Sequence, residues 1–381
     1  MRITLLRSVK AFVAASATAL TMAAAPAGAS SAEEPQFAEI ARQYLQDRAT
    51  RLVSDAPART LTSVPSTGAL ADRLTREAAA IDERRRLLRE ANGGHKQADV
   101  QVAEVATTRD GETVELRVAE RTKLYFARPL ADAPAFEEYA LNHRFVFERQ
   151  GAQWVMRDAR PELAAGELAP DTQPQAARAP KTSPKATAPA GREPSSVDRP
   201  RKGAAVAPDK LARSTEAALA WDYTAMLNYA NTYWDTYNPD YRTYGGVGGD
   251  CTNFISQIVT AGGWTEVGSW PDSRSDNANW FYGDYTWTTS YTWPAAENWY
   301  WFAQHESART TYLGNVWDML TTDVLQVDFD RDDNISHSLF VTDRSSDGEL
   351  YLTYHSNNTH NKPLSSFLAA NPDAWYYAHR T

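Results

Sequence analysis

One cysteine and seven histidines supply the thiol and imidazole chemistry of this chain. Cys251 sits in the run Gly248-Gly249-Asp250-Cys251-Thr252-Asn253-Phe254-Ile255-Ser256-Gln257. The glycines read as a loop, Asp250 as an N-cap, and the residues after it as a helix, because Phe254, Ile255, Ile258 and Val259 recur at helical spacing behind Cys251. A thiol in the first turn of a helix feels the partial positive charge of unbonded N–H groups, which favours the thiolate. Far downstream, Ser336-His337-Ser338-Leu339-Phe340-Val341 is a strand-like run carrying a histidine. A cysteine opening a helix and a distant histidine on a strand are what a sulfur nucleophile and its general base require. The ordinary alternatives are a buried inert thiol and a histidine satisfied within a sheet.

The elements that must position these residues fall into two groups. Residues 34–91 read as mostly helical, with Phe37, Ile40, Ala41, Tyr44 and Leu45 on one face and a second, heavily charged helix over 69–91. Alternating runs follow at 100–105 and 114–118, separated by the Asp110-Gly111 turn, then at 139–148 and 154–157. These predict a small α+β accessory domain over 34–160. Residues 161–208 are rich in Pro, Ala, Thr and Ser without apolar periodicity and read as a disordered linker. From 211 onward the composition turns aromatic and acidic. A helix is predicted over 217–237, ended by Asn238-Pro239, and strands over 324–329, 338–342, 350–354 and 375–378, with Asp347-Gly348 as a hairpin turn.

The first 29 residues combine Arg2, Arg7 and Lys10 with a small apolar run and Ala27-Gly28-Ala29, the pattern of a cleaved secretory signal. No later segment is long and apolar enough to span a bilayer, so a secreted, soluble, monomeric protein without a membrane anchor is expected. A lone cysteine in an exported chain has no internal disulfide partner. The net charge is −9, and residues 209–381 carry 9 basic against 22 acidic side chains. So acidic a half argues against nucleic acid as a partner.

Asn238-Pro239, Tyr244-Gly245-Gly246, the Asp250–Gln257 block, His337-Ser338 and Tyr354-His355-Ser356-Asn357, in that order, resemble the putative amidase domain family over residues 211–381. That family is similar to papain-like cysteine hydrolases of the NlpC and CHAP type. The resemblance implies a papain-like α+β fold, with the nucleophile helix packed on an antiparallel sheet. It implies Cys251 as nucleophile, His337 as base and then acid, and His355 as the group orienting the imidazole, with Asn357 and Asp343 in reserve. The Cys251 N–H and Tyr244 are candidates to face the oxyanion. The implied substrate is a peptide or amide, with cell-wall peptidoglycan as the candidate that the resemblance suggests. A silent wall- or glycan-binding module and a transacylase are the alternatives.

Two features remain. Asp328-Phe329-Asp330-Arg331-Asp332-Asp333-Asn334-Ile335 places carboxylates at positions one, three and five with an apolar residue at eight, as in a calcium loop, but Asp333 stands where glycine is usual and Leu339 where glutamate closes the loop. A structural calcium at Asp328, Asp330 and Asp332 is thus an open alternative to a solvated turn; no cofactor is required by the chemistry. The stretch containing Trp270, Trp280, Trp287, Trp293, Trp299 and Trp301 is expected mainly to pack over the core, with one or two rings left to line a cleft for sugar or peptide.

Overall fold

The alternating runs of the first half become four long antiparallel strands. In the computed structural model, which describes residues 36–53, 61, 65–163, 167–174, 191–198, 221–245, 250–355 and 357–381, β1 (His95–Asp110), β2 (Thr113–Phe126), β3 (Phe136–Gln150) and β4 (Gln153–Pro161) form a meander. The β1–β2 turn is made at Gly111, whose φ of 56° suits a residue without a Cβ. Strand periodicity sends Val114, Leu116, Val118 and Leu124 to one face of β2. Helices α1 (Phe37–Val53) and α2 (Gly68–Asn92) cover that face, the first with Ala41, Tyr44, Leu45 and Leu52, the second with Leu70, Leu74, Ile81 and Leu88. Thr67 caps α2 by accepting from the Leu70 N–H, and Gly93 ends it in the left-handed region.

The second half contributes α3 (Tyr223–Tyr233), α4 (Cys251–Ala261), α5 (Ala296–Tyr300), β5 (Thr311–Leu313), β6 (Val324–Asp328), β7 (His337–Arg344), β8 (Leu350–Tyr354), β9 (Thr359–Pro363), α6 (Leu364–Ala370) and β10 (Trp375–Arg380). The strands expected near 324, 338, 350 and 375 are all present; β9, a Thr-His-Asn-Lys-Pro run with no apolar alternation, is an addition that its sequence does not signal. The sheet is antiparallel and ordered β1-β2-β3-β9-β8-β7-β6-β10-β5, with β4 beside β3. Mixed helices and antiparallel sheet agree with the expected α+β class. One face of β6–β8 presents Leu325, Val327, Leu339, Val341, Leu350 and Leu352 to α6; the other presents Val324 and Phe340 to α4.

Residues 34–160 and 211–381, read above as two halves, meet in this sheet, because Glu138 and Tyr139 of β3 pair with His360 and Thr359 of β9. Beneath the seam lies buried charge. The Lys362 ammonium donates to Glu137 at 3.3 Å and to Asp171. The fully buried Arg48 bonds Glu77 at 2.7 Å, Tyr44 at 2.9 Å and the Thr172 carbonyl at 2.9 Å. Two pieces of the span read as a disordered linker are therefore packed. Residues 167–174 bury Leu168, Asp171 and Thr172 at this seam. Residues 191–198 run beside β10, where the Ser196 N–H meets the Tyr376 carbonyl at 2.7 Å. Composition misses both because, Leu168 apart, their partners are charges and backbone groups rather than an apolar face. The N-terminal leader and the glycines at 246–249 lie outside the described residues. No described helix is long and apolar enough to cross a membrane.

Lys362→Ala leaves two buried carboxylates without their shared cation, a loss of about 3–5 kcal/mol. Urea denaturation should show a clearly lower midpoint; an unchanged midpoint would mean the cluster does not hold the seam.

Candidate active site

Helix α4 is buried on every side from Cys251 to Val259. Its apolar residues Phe254, Ile255, Ile258 and Val259 enter the core, so its polar ones need partners inside. The aromatic stretch supplies them. The Trp293 indole donates to Asn253 Oδ1 at 2.9 Å, and the Trp280 indole to Ser256 Oγ at 3.2 Å. Ser256 in turn donates to the Trp293 carbonyl at 2.8 Å. Trp280, Trp293 and Trp299 are fully buried, Trp301 is half-buried, and Trp270 and Trp287 stand in solvent.

Asp250 occupies the N-cap position, but its side chain makes no capping bond to the helix backbone. Its Oδ1 accepts from the Tyr244 N–H at 2.7 Å and from Asn253 Nδ2 at 2.9 Å. Its Oδ2 lies 2.8 Å from His355 Nδ1. The other ring nitrogen of His355 lies 2.8 Å from the Tyr233 carbonyl, and the ring stacks on Phe254 with centroids 3.9 Å apart. The resemblance implies that His355 orients the imidazole of His337. Both of its nitrogens are engaged instead, by Asp250 and by the end of α3, and it serves the start of α4.

Cys251 is the first residue of α4 and is buried. Its sulfur lies 3.7 Å from the Thr252 hydroxyl, and the Thr252 and Ser338 hydroxyls share a hydrogen bond of 2.9 Å. The thiol is thus linked through Thr252 to the first residues of β7. Burial pushes it up to about 11; the Ser338 backbone and Thr252 pull the other way and the Asp250 carboxylate adds to the rise. The thiolate expected from the helix end is accordingly not the resting state.

His337 is the residue before Ser338, so the thiol reaches the strand that carries the expected base. Consecutive strand side chains point to opposite faces. Ser338 faces α4, where Gln326 Nε2 also donates to its hydroxyl at 3.0 Å. The buried His337 ring lies beside Tyr354 and Phe329, with centroids 5.4 and 6.1 Å away. Asp343 lies six residues along β7, roughly 20 Å at 3.4 Å per residue, too far to orient that ring. Asn357 is buried in the turn between β8 and β9; its Oδ1 accepts from Thr359, and its Nδ2 has no hydrogen-bonding partner among the described residues. The Tyr244 hydroxyl accepts from Arg242 at 3.2 Å, which leaves its own proton to donate.

The acidic loop after β6 brings oxygens of Asp328, Asp330 and Asp332 within 4.8 Å of one another. Arg331 and Asp333 adopt φ of 55° and 63°, so Asp333 takes the left-handed conformation for which glycine is usual. Asp328 accepts from the Asp333 N–H at 2.9 Å, and burial raises its carboxyl to about 6, with the neighbouring carboxylates adding to the rise.

Comparison with known proteins bears on the same region. The chain is 29% identical over 126 residues to the uncharacterized protein YhbB of Bacillus subtilis (strain 168), a stretch covering 32% of this chain and 38% of that protein. No solved structure matches. Residues 220–379, which contain α3, α4, the aromatic stretch and β5–β10, match the model of the family described as a putative amidase domain, and this amidase-like region points to hydrolysis of a C–N bond.

Proposed function

We propose that the protein is a cysteine amidohydrolase or peptidase that is exported and acts on an amide bond of cell-wall material. The single observation that carries the reading is the sulfur of Cys251, opening a buried helix inside the amidase-like region and linked through the Thr252 hydroxyl to Ser338, the residue after His337. At rest the thiol is protonated. As a carbonyl carbon arrives, the proton passes to His337, whose ring rests on the face of β7 away from α4 beside Phe329 and Tyr354 and has to turn toward the sulfur; sulfur bonds to the carbon, and the Cys251 N–H and the Tyr244 hydroxyl face the oxyanion. His337 then protonates the leaving amine, and a thioester remains. Water attacks it with His337 again as base, releasing the acid and the thiol. Asn357, whose amide has a donor to spend, is the residue assigned to orient His337. His355 is excluded as base because both of its ring nitrogens are already engaged, one by Asp250 and one by the Tyr233 carbonyl.

The acidic loop is assigned to calcium, whose oxygen preference suits three carboxylates. The ion would stiffen the segment that leads into β7 and would take no part in the chemistry.

Three outcomes test these assignments. Cys251→Ala and His337→Ala should each abolish release of amine from a wall peptide, whereas His355→Gln should lower thermal stability and leave measurable turnover. Turnover that survives His337→Ala but not His355→Gln would reverse the assignment of the base. Alkylation of the resting enzyme by iodoacetamide should climb with pH through 9 towards about 11, and a plateau already reached at pH 7 would mean a pre-formed thiolate–imidazolium pair. Asp328 binds its proton more tightly folded than unfolded, so its contribution to stability falls as pH rises from 3.8 through about 6. Calcium replaces that proton, so it should raise the melting temperature more at pH 7 than at pH 5, and Asp330→Asn should remove the gain. No calcium-dependent shift at either pH would leave the loop a solvated turn.

A further inference from the structure

Between Gly268 and Tyr312 the chain contains no Val, Leu, Ile or Met, although it carries six of the twelve tryptophans. The buried members of this stretch serve α4. The exposed members do something else. Trp270, Tyr285, Trp287 and Tyr291 are 50%, 59%, 57% and 43% exposed. Trp270 and Trp287 meet at 89° with centroids 5.4 Å apart, and Tyr285 lies nearly parallel to Trp287 at 5.5 Å. Three large rings thus form an open corner. Isolated exposed apolar residues are common, but a contiguous cluster of aromatic rings in water marks an interaction surface.

The corner is held rigidly. Arg274 donates to the carbonyls of Thr289 at 2.9 Å and Thr286 at 2.7 Å, and its guanidinium lies 4.6 Å from the Tyr291 centroid, joining the segment of Trp270 to that of Tyr285 and Trp287. The Thr288 hydroxyl accepts from the Tyr285 N–H at 3.0 Å. A Cβ on Gly283 would lie 2.4 Å from the Thr288 carbonyl oxygen, so the loop closes only around glycine. Rings fixed in this way lose little freedom when a partner arrives.

The loop is also tied to the proposed site. Arg242 donates to Thr289 Oγ1 at 2.9 Å, to the Gly283 carbonyl and to the Tyr244 hydroxyl, while its own carbonyl accepts from Asn253 of α4. One side chain therefore connects the aromatic corner, the segment before the nucleophile and the nucleophile helix.

The chemistry around the rings selects the partner. A protein-binding hot spot sits in a well-packed pocket ringed by contacts that exclude water, whereas these rings stand 50–59% exposed at an open corner. Nucleic-acid bases also stack on such rings, but Asp272, Asp276 and Asp284 stand in the same segments and would repel a phosphate backbone. What remains around the rings is hydroxyl, amide and carboxylate. Flat rings that cover the C–H face of a pyranose, flanked by groups that bond its hydroxyls, fit a neutral sugar chain.

We infer that Trp270, Tyr285 and Trp287 form a glycan-binding surface that seats a neutral sugar strand and is tied through Arg242 to the amide-cleaving site. That the strand belongs to the substrate rests on the hydrolase reading; binding of the strand does not. The experiment uses the full chain carrying Cys251→Ala and titrates it with the hexamer of β-linked N-acetylglucosamine, read by calorimetry and tryptophan fluorescence. Saturable binding is expected, weakened at least about tenfold, or 1.4 kcal/mol, by Trp270→Ala or Trp287→Ala with unchanged melting temperature. In chains retaining Cys251, the same substitutions should raise KM for a sugar-bearing wall peptide while leaving kcat, and turnover of a small peptide amide, unchanged. Absence of binding, or binding indifferent to both substitutions, overturns the inference. So does capture of single-stranded DNA in place of the hexamer, or a dimer in sedimentation that Trp287→Ala dissolves. Binding without turnover in the native chain would sustain the glycan surface and reject the hydrolase.

Discussion

The geometry of the site depends on one carboxylate. Asp250 could have capped its helix in the ordinary way, by turning an oxygen back to the N–H groups of the first turn. Instead both oxygens face outward from that role. One binds the Tyr244 N–H and the Asn253 amide, the other binds His355 at the end of β8. Loop, helix and sheet are thereby fixed to a single point next to Cys251. What the buried carboxylate supplies here is position. If Asp250 is displaced, the start of α4 moves with it, and so does the sulfur relative to Ser338.

This arrangement also explains why the thiol rests neutral. A helix end stabilises a nearby anion by about 0.3–1 kcal/mol in exposed settings, and Thr252 and the Ser338 backbone act in the same direction. Burial and the adjacent carboxylate outweigh them.

Much of this was legible in the chain. The Asp-Cys-Thr-Asn-Phe block predicts a helix start and the structure has one; the alternating runs near 100, 114, 139, 324, 338 and 350 are strands. The partner of His355 was not legible, because a lone histidine carries no mark of which acceptor lies across the fold. The β3–β9 pairing was hidden for a related reason. Register over a separation of more than two hundred residues leaves no local pattern, and β9 itself alternates polar groups. The pieces at 167–174 and 191–198 look like linker because composition records their want of apolar surface, while their actual partners are Lys362, Arg48 and the edge of β10. Sequence periodicity detects apolar burial and is blind to buried charge.

The tryptophan-rich segment needs a different argument, because the same residue type does opposite things within it. An aliphatic core could bury α4 but could not satisfy Asn253 and Ser256; an indole can do both, since one edge carries a donor. Trp280 and Trp293 are therefore bound to α4 by hydrogen bonds as well as packing, and their loops are fixed around it. A segment anchored in this way can carry rings outward without collapsing them onto the surface, as Trp270, Tyr285 and Trp287 are carried. Arg242 closes the circuit by bonding the outer loop, Tyr244 and the carbonyl-to-Asn253 link together. The polar residues that make α4 an unusual core helix are thus the reason the aromatic surface stands where it does, joined through Arg242 to the segment before Cys251.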